Sequence, residues 1–216
     1  REGAYRVGQP IEAAYRVVQR PPDGAPMPDW LAQAVADDPV LLEDGFWGDG
    51  TIRVAGRDYN GMALTGCYTR GAMTCTTCHA MHGYEARADQ LAPGHGGDGA
   101  CTGCHPDRVG PAHTHHAEGS PGSRCMNCHM PYTTFGLLGL IRAHRIDSPD
   151  PAQALATGRP DACSLCHLDR RSAALAEATA RWWPGGVRAV PVQAGDAPAA
   201  AVQWLLAGDA VQRATA

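Results

Sequence analysis

Apolar positions along this chain fall into three regimes. In residues 1–60 they come in short bursts: Ala-Tyr-Arg-Val occurs at 4–7 and again at 14–17, the second copy followed by Val18, each ahead of a proline. That pattern predicts two short extended pieces. Pro28-Asp29-Trp30 has the form of a helix start with Asp29 as cap, and Pro39 marks where that helix must have ended. Residues 46–54 predict a small hairpin around Gly48-Asp49-Gly50. From 61 to 171 glycines and turn residues interrupt every period. Residues 107–116 give a short helix there if Pro111 is tolerated, and residues 135–144 a better one, apolar at Phe135, Leu138 and Ile141 or at Leu137 and Leu140. After Arg171 the chain turns alanine-rich. Residues 172–183 read as a helix capped by Ser172 and stopped by Pro184, with Leu175, Ala178 or Thr179, and Trp182 along one side, the tryptophan as core. Residues 196–207 and 209 onward give two more helical stretches, broken at Gly208. The last stops at Ala216 before it buries a face, so the expectation is a longer chain or a partner over that end.

The middle regime is organised by something other than periodicity. Cys-x-x-Cys-His occurs four times: Cys75-Thr76-Thr77-Cys78-His79, Cys101-Thr102-Gly103-Cys104-His105, Cys125-Met126-Asn127-Cys128-His129 and Cys163-Ser164-Leu165-Cys166-His167. A shuffle of this composition would give roughly 0.02 copies. Each copy is the attachment signature of a c-type haem: two thiols three residues apart add to the vinyl groups of one porphyrin, and the next imidazole lands on its iron. A zinc site built from paired cysteines requires no histidine after every second one. A disulfide framework requires none either. The reading is four covalent haem c groups, held by Cys75, Cys78, Cys101, Cys104, Cys125, Cys128, Cys163 and Cys166, with His79, His105, His129 and His167 on the irons.

Composition then explains the weak periodicity. Phe occurs twice among 216 residues, against 26 Gly and 17 Pro. Few large side chains are present to bury, so the macrocycles are expected to be the core. The expected fold is mostly irregular and helical with little β, a multihaem cytochrome c fold organised around four haems. Residues 1–60, which lack Cys and His, form an arm or lid, 61–171 the haem domain and 172–216 a helical tail.

Charge narrows the partners. The formal charge is −4, and all 18 basic residues are Arg, whose planar fork suits haem propionates as well as a high-GC genome. Eight propionates would bring the protein to about −8 oxidised and about −12 reduced. Nucleic acid is excluded on this balance, and a basic patch on a redox partner is favoured. No apolar run approaches the length of a membrane span, and the chain opens at Arg1 on a polar segment. Haem is attached outside the cytoplasm. The expectation is therefore a removed export signal, or a piece of a longer chain, with a periplasmic or extracellular location.

Six histidines remain for the other faces of the irons: His82, His95, His113, His115, His116 and His144, all lying, like the motif histidines, between 79 and 167. Supply exceeds demand, which favours bis-histidine ligation. His82 stands three residues past His79 and cannot reach the opposite face of the same iron, so it serves another haem or none. His144, isolated from the other free histidines, ranks first as a distal ligand. Of the cluster at 113–116, at most two can be aimed in different directions, and His113 and His116 are favoured; His95, among glycines, is an alternate. Methionine is the other axial candidate. Met126 and Met130 lie in or beside a motif, and Met27, Met62, Met73 and Met81 read as packing. Cys67, the ninth cysteine, reads as a buried thiol, with an intermolecular disulfide or metal contact as the alternative.

The runs Cys125-Met126-Asn127-Cys128-His129-Met130-Pro131, Arg142-Ala143-His144-Arg145-Ile146 and Pro160-Asp161-Ala162-Cys163-Ser164-Leu165-Cys166-His167-Leu168-Asp169 resemble periplasmic multihaem c-type cytochromes, the broad group of hydroxylamine-oxidoreductase relatives and tetrahaem electron carriers. Trp47-Gly48-Asp49-Gly50-Thr51-Ile52-Arg53-Val54 and Tyr59-Asn60-Gly61 are similar to the lead-in to the first haem of such chains. The likeness covers about residues 46–183. It implies that His144, in its Arg-x-His-Arg-Ile segment, is a distal ligand. Similar chains continue into helical repeats, and the end at Ala216 departs from that.

Electron transfer through closely packed bis-histidine haems is the expected function, as a carrier or as a wire subunit working with other redox proteins, haem subunits or copies of itself in an oligomer or filament. The catalytic alternative needs one haem with an open position acting on a small nitrogen compound or a peroxide, with Arg70, Tyr68 or Tyr132 as proton donors. An assembly subunit of a larger redox complex is the third reading. If haem is the core, haem-free polypeptide should melt without a cooperative transition in calorimetry; a sharp one would refute this.

Overall fold

The computed structural model describes residues 4–21, 24–53, 58–136, 138–185 and 197–216. A 3₁₀ turn, Ile11–Ala13, lies between the two expected extended pieces, and neither tetrapeptide joins a strand among the described residues. Two helices follow, Asp29–Asp37 (α1) and Leu41–Gly45 (α2). Asp29 is the first residue of α1 and not its cap. Pro28 takes that place at ψ 144°, and its carbonyl already accepts the Leu31 and Ala32 amides. Leu31, Leu42 and Phe46 pack as a small core against Val18, Trp30, Val35, Leu41 and Ile52. The expected hairpin is reduced to one antiparallel bridge between Phe46 and Ile52, closed by Trp47 N–H on Thr51 O at 2.7 Å. Gly50 makes the turn at φ +78°, where a Cβ would lie 3.1 Å from Arg20 O. Val54 lies outside the described residues.

The region of the Cys-x-x-Cys-His motifs is a series of short helices of four to six residues. Asp58–Ala63 (α3) and Gly66–Gly71 (α4) lead into Cys75–Cys78 (α5), and Gly99–Thr102 (α6), Pro111–Thr114 (α7) and Cys125–His129 (α8) follow. The helix expected over 107–116 survives only as α7, because Pro111 can open a helix but not sit inside one. The boundary expected between residues 60 and 61 falls inside α3.

Residues 135–144 are not a helix. Tyr132–Phe135 (β1) and Gly139–Arg142 (β2) form an antiparallel hairpin, with Thr133 facing Ile141 and Thr134 facing Leu140. The three-residue spacing of Phe135, Leu138 and Ile141 imitates a helical stripe. Gly136 at φ +62° turns the chain instead, and the aromatic and β-branched run of β1 suits an extended strand. Leu137 lies outside the described residues.

Pro151–Thr157 (α9) packs beside Ser172–Trp182 (α10), and Ala200–Ala207 (α11) beside Ala210–Thr215 (α12). In α10, Arg171 is the cap and Ser172 the first helical residue, buried with Leu175, Ala176 and Thr179. Trp182 is 41% exposed, so it is not core. The expected start of α11 at residue 196 lies outside the described residues; its first amides reach back, Ala200 N to Arg170 O at 2.9 Å and Ala201 N to Leu168 O at 3.0 Å. Asp209 caps α12 in a box with Gln212, and its other oxygen accepts the Thr134 hydroxyl at 2.6 Å. The tail is thereby tied to the hairpin.

The architecture is thus mostly irregular and helical, with one small antiparallel sheet and helices at the C-terminal end. Among the described residues no helix is long and apolar enough to cross a membrane. The polypeptide exposes 13244 Å². A compact monomer of 22.7 kDa would expose roughly 9500 Å².

The N-terminal segment is bound into the same chain rather than standing apart. Asn60 donates to Val18 O at 2.7 Å, Gln19 donates to Gly50 O at 2.8 Å, and Tyr59 hydrogen-bonds Glu12. Deepest is Asp49, whose side chain is 1% exposed between Arg159 at 2.8 Å and Arg145 at 3.8 Å. The Arg159 contact is an ion pair too poorly aligned for a hydrogen bond, while Asp49 Oδ1 accepts the Thr51 amide at 2.9 Å. Removing the carboxylate leaves the mostly buried Arg159 guanidinium without its anion and leaves Arg145 with Asp147 at 3.2 Å. Asp49→Ala should destabilise the full chain by about 3–5 kcal/mol, read as a lowered denaturant midpoint.

Candidate haem-binding centre

Each motif is set in place by a local device. In the first, Thr74 and Thr77 form a capping box. Asp98 serves two: its carbonyl accepts Cys101 N at 2.9 Å and its Oδ1 accepts Cys125 N at 2.9 Å. Arg142 holds the other end of α8, donating to Met126 O at 3.0 Å, Met130 O at 3.2 Å and Asn127 Oδ1 at 2.8 Å, with its guanidinium over Tyr132. Asp161, 4% exposed, accepts the Cys163 and Ser164 amides and binds the Ser164 hydroxyl. Within the motifs the histidine amide closes onto the first cysteine carbonyl, at 2.9 Å for His79 and His105 and 2.8 Å for His167. One helical turn then carries both thiols and the imidazole on one face.

None of the nine cysteines pairs in a disulfide. Burial first, then Cys125, pushes Cys101 up to about 11. Burial first, then Cys67 and Cys104, raises Cys78. Burial first, then Cys166 and Cys125, raises Cys128. Thiol neighbours thus link the first motif to the second, the second to the third and the third to the fourth. Cys67 is half-buried rather than buried.

The histidines show the decisive geometry. His79 faces His144 with ring centres 6.1 Å apart, His129 faces His113 at 6.2 Å, and His167 faces His116 at 6.0 Å. The ring planes differ by 29°, 7° and 32°. An imidazole nitrogen binds a transition metal at roughly 2 Å, and with about 1.1 Å from nitrogen to ring centre two imidazoles on one metal stand roughly 6.2 Å apart. The residues therefore fit a hexacoordinate haem iron at three of the four motifs.

Hydrogen bonds orient these rings. Nδ1 of His79 bonds Asp89 O at 2.8 Å, that of His129 bonds Asp147 O at 2.8 Å and that of His116 bonds Thr114 O at 2.7 Å. His144 Nδ1 lies 3.1 Å from Arg142 O and 2.8 Å from Asp58 Oδ1. With Nδ1 donating, Nε2 is left as the metal-binding atom. Burial lowers the pKa of His113, with His129 the next cause, which favours the neutral ligand form.

His105 has no imidazole opposite it among the described ring contacts. His82 is exposed, and His95 is half-buried with Nδ1 3.3 Å from Pro93 O; neither meets a motif histidine. His115 is not turned to a motif either. At φ +53° it stacks on Trp182 at 4.8 Å and edges Trp183 at 4.9 Å. That left-handed residue separates the directions of His113 and His116. Among the described residues no group of three or more His, Cys, Asp or Glu converges as a zinc site requires. Tyr68 and Arg70 stand on α4 ahead of the first motif, and Tyr132 beside the third.

Sequence reasoning missed Asp58, Asp98, Asp161 and Arg142. An aspartate two or three residues ahead of a motif cysteine was a readable cap signal for two of them. Asp58 and Arg142 act across the fold and left none. In comparisons with known proteins, no family model, no curated protein and no solved structure matches this chain. Asp161→Ala would leave buried amides unpaired and should cost about 1–3 kcal/mol, measurable by denaturant unfolding of the full chain.

Proposed function

We propose that this chain is an exported tetrahaem c-type cytochrome that carries electrons, as a periplasmic or extracellular carrier or wire subunit. The observation that carries the reading is the set of three imidazole pairs 6.0–6.2 Å apart, each joining a motif histidine to a histidine outside the motifs. Haem supplies the one-electron chemistry. The polypeptide would bind it through the four thiol pairs and present imidazoles from both sides at three of them, with His79, His116, His129 and His144 held by Nδ1. Saturated axial positions favour electron transfer over substrate binding. The thiol neighbours support a spatial order that follows the motif order, with the first and fourth sites as the ends. The large exposed area of the polypeptide supports macrocycles as the missing part of the core, as expected from composition.

The resemblance to periplasmic multihaem cytochromes agrees with this reading. Net negative charge suits a partner with a basic docking patch, and other haem subunits or copies of this chain suit the two ends. A second reading is favoured by His105, which lacks a facing imidazole among the described contacts. If neither His82 nor His95 closes that site, it is where a small nitrogen compound or a peroxide would bind.

Intact mass should exceed that of the polypeptide by about four additions of ~616 Da. Carbon monoxide added to reduced protein, and cyanide to oxidised protein, should leave the absorption spectrum unchanged. A mass without the additions refutes the tetrahaem reading. Ligand binding at one haem moves the reading from carrier to catalyst, with the second site as its centre.

A further inference from the structure

Three Nδ1 atoms among the paired histidines, those of His79, His129 and His116, are held by peptide carbonyls. His144 alone among them has a carboxylate, Asp58, 2.8 Å from Nδ1 and nearer than its peptide acceptor at 3.1 Å. The placement is built rather than incidental. Gly61, one helical turn after Asp58 on the same face of α3, lies against the His144–Arg145 backbone so closely that a Cβ would stand 2.7 Å from Arg145 N and 3.0 Å from His144 C. Only glycine lets α3 approach, and that approach brings Asp58 to the ring. The neighbouring cation does not compete for Asp58: Arg145 is engaged by Thr51 at 2.6 Å, Asp147 at 3.2 Å and Asp49 at 3.8 Å.

We propose that Asp58 is a positioning residue that polarises His144 and makes the first haem the lowest-potential centre of the four. The inference rests on the tetrahaem reading above. A carboxylate accepting the Nδ1 proton shifts electron density toward Nε2 and strengthens its donation to the iron. The oxidised iron carries one more positive charge, so stronger donation stabilises it and lowers the potential. A peptide carbonyl, being neutral, does less. Because the first site is terminal in the motif order, an electron placed there would run downhill toward the second, third and fourth. Asp58 is half exposed, and water moderates its effect without removing it.

The test is a spectroelectrochemical titration of the full, haem-loaded chain. Asp58→Asn should raise the potential of one haem and leave three unchanged, Asp58→Glu should restore most of the lost shift, and Gly61→Ala, which pushes α3 away, should raise the same haem. In reduced, diamagnetic wild-type protein, the Nδ1 proton of His144 should lie furthest downfield of the ligand imidazole protons in the NMR spectrum. Four unchanged potentials in Asp58→Asn, or an equal shift of all four, would overturn the proposal, as would a His144 proton no further downfield than those of His79 and His129. If a variant fails to assemble, the wild-type NMR measurement decides. Fewer than four haems on wild-type protein would be a failure of the tetrahaem reading and is detected separately by mass.

Discussion

The facing of two imidazoles across about 6 Å is the constraint on which the rest of this chain depends. One ring of each pair comes from a motif whose geometry is local, and the other from a segment placed elsewhere in the fold. His79 meets His144 from the end of the hairpin, and His167 meets His116 from the far side of α7. The motif helices are one turn long, well below what is stable alone, and their caps satisfy ends without supplying a core. Joining the two halves of each pair closes long loops, which costs chain entropy. On the tetrahaem reading that cost is met by metal ligation, so folding and haem attachment are linked.

Seen this way, the hairpin, the tail and the N-terminal segment have one purpose in common. β2 ends in Arg142, which caps the third motif, and is followed at once by His144, facing the first. Asp209 ties β1 to the tail, and Arg145 ties the turn at Asp49 to the strand end. Residues 1–60, expected to form an arm or lid, are tied through Asp49 to Arg145, next to His144, and to Arg159. Four aspartates divide the work: Asp98 and Asp161 cap motifs, Asp49 clamps, and Asp58 meets His144. None of these roles follows from charge alone.

What the sequence made legible follows from where the information is local. The four motifs, and the helical tail with its break at Gly208, depend on residues a few positions apart. So does the opposed aim of His113 and His116, which the crowding of three histidines already demanded. The pairing of His144 with His79 is different, since it depends on how a hairpin crosses the first motif. That hairpin was itself misread, because a spacing of three between Phe135, Leu138 and Ile141 satisfies a helical template that Gly136 and Gly139 forbid. Trp182 was misread as core for the opposite reason: its helix does have an apolar side, but the ring turns from it to stack on His115.

The same contrast explains why Asp58 carries no sequence signal although it touches His144. A cap is recognised because its partner is two or three residues away. Asp58 acts on a residue brought near only when Gly61 lets one backbone press on another, so its meaning exists in the packed state and nowhere earlier. Three of the paired rings use peptide carbonyls, which every residue supplies and which therefore leave the sites chemically alike. A carboxylate at one ring breaks that likeness. On the tetrahaem reading, a row of equivalent centres would conduct in either direction, and unequal support of His144 would be the means by which this fold gives the row a preferred one.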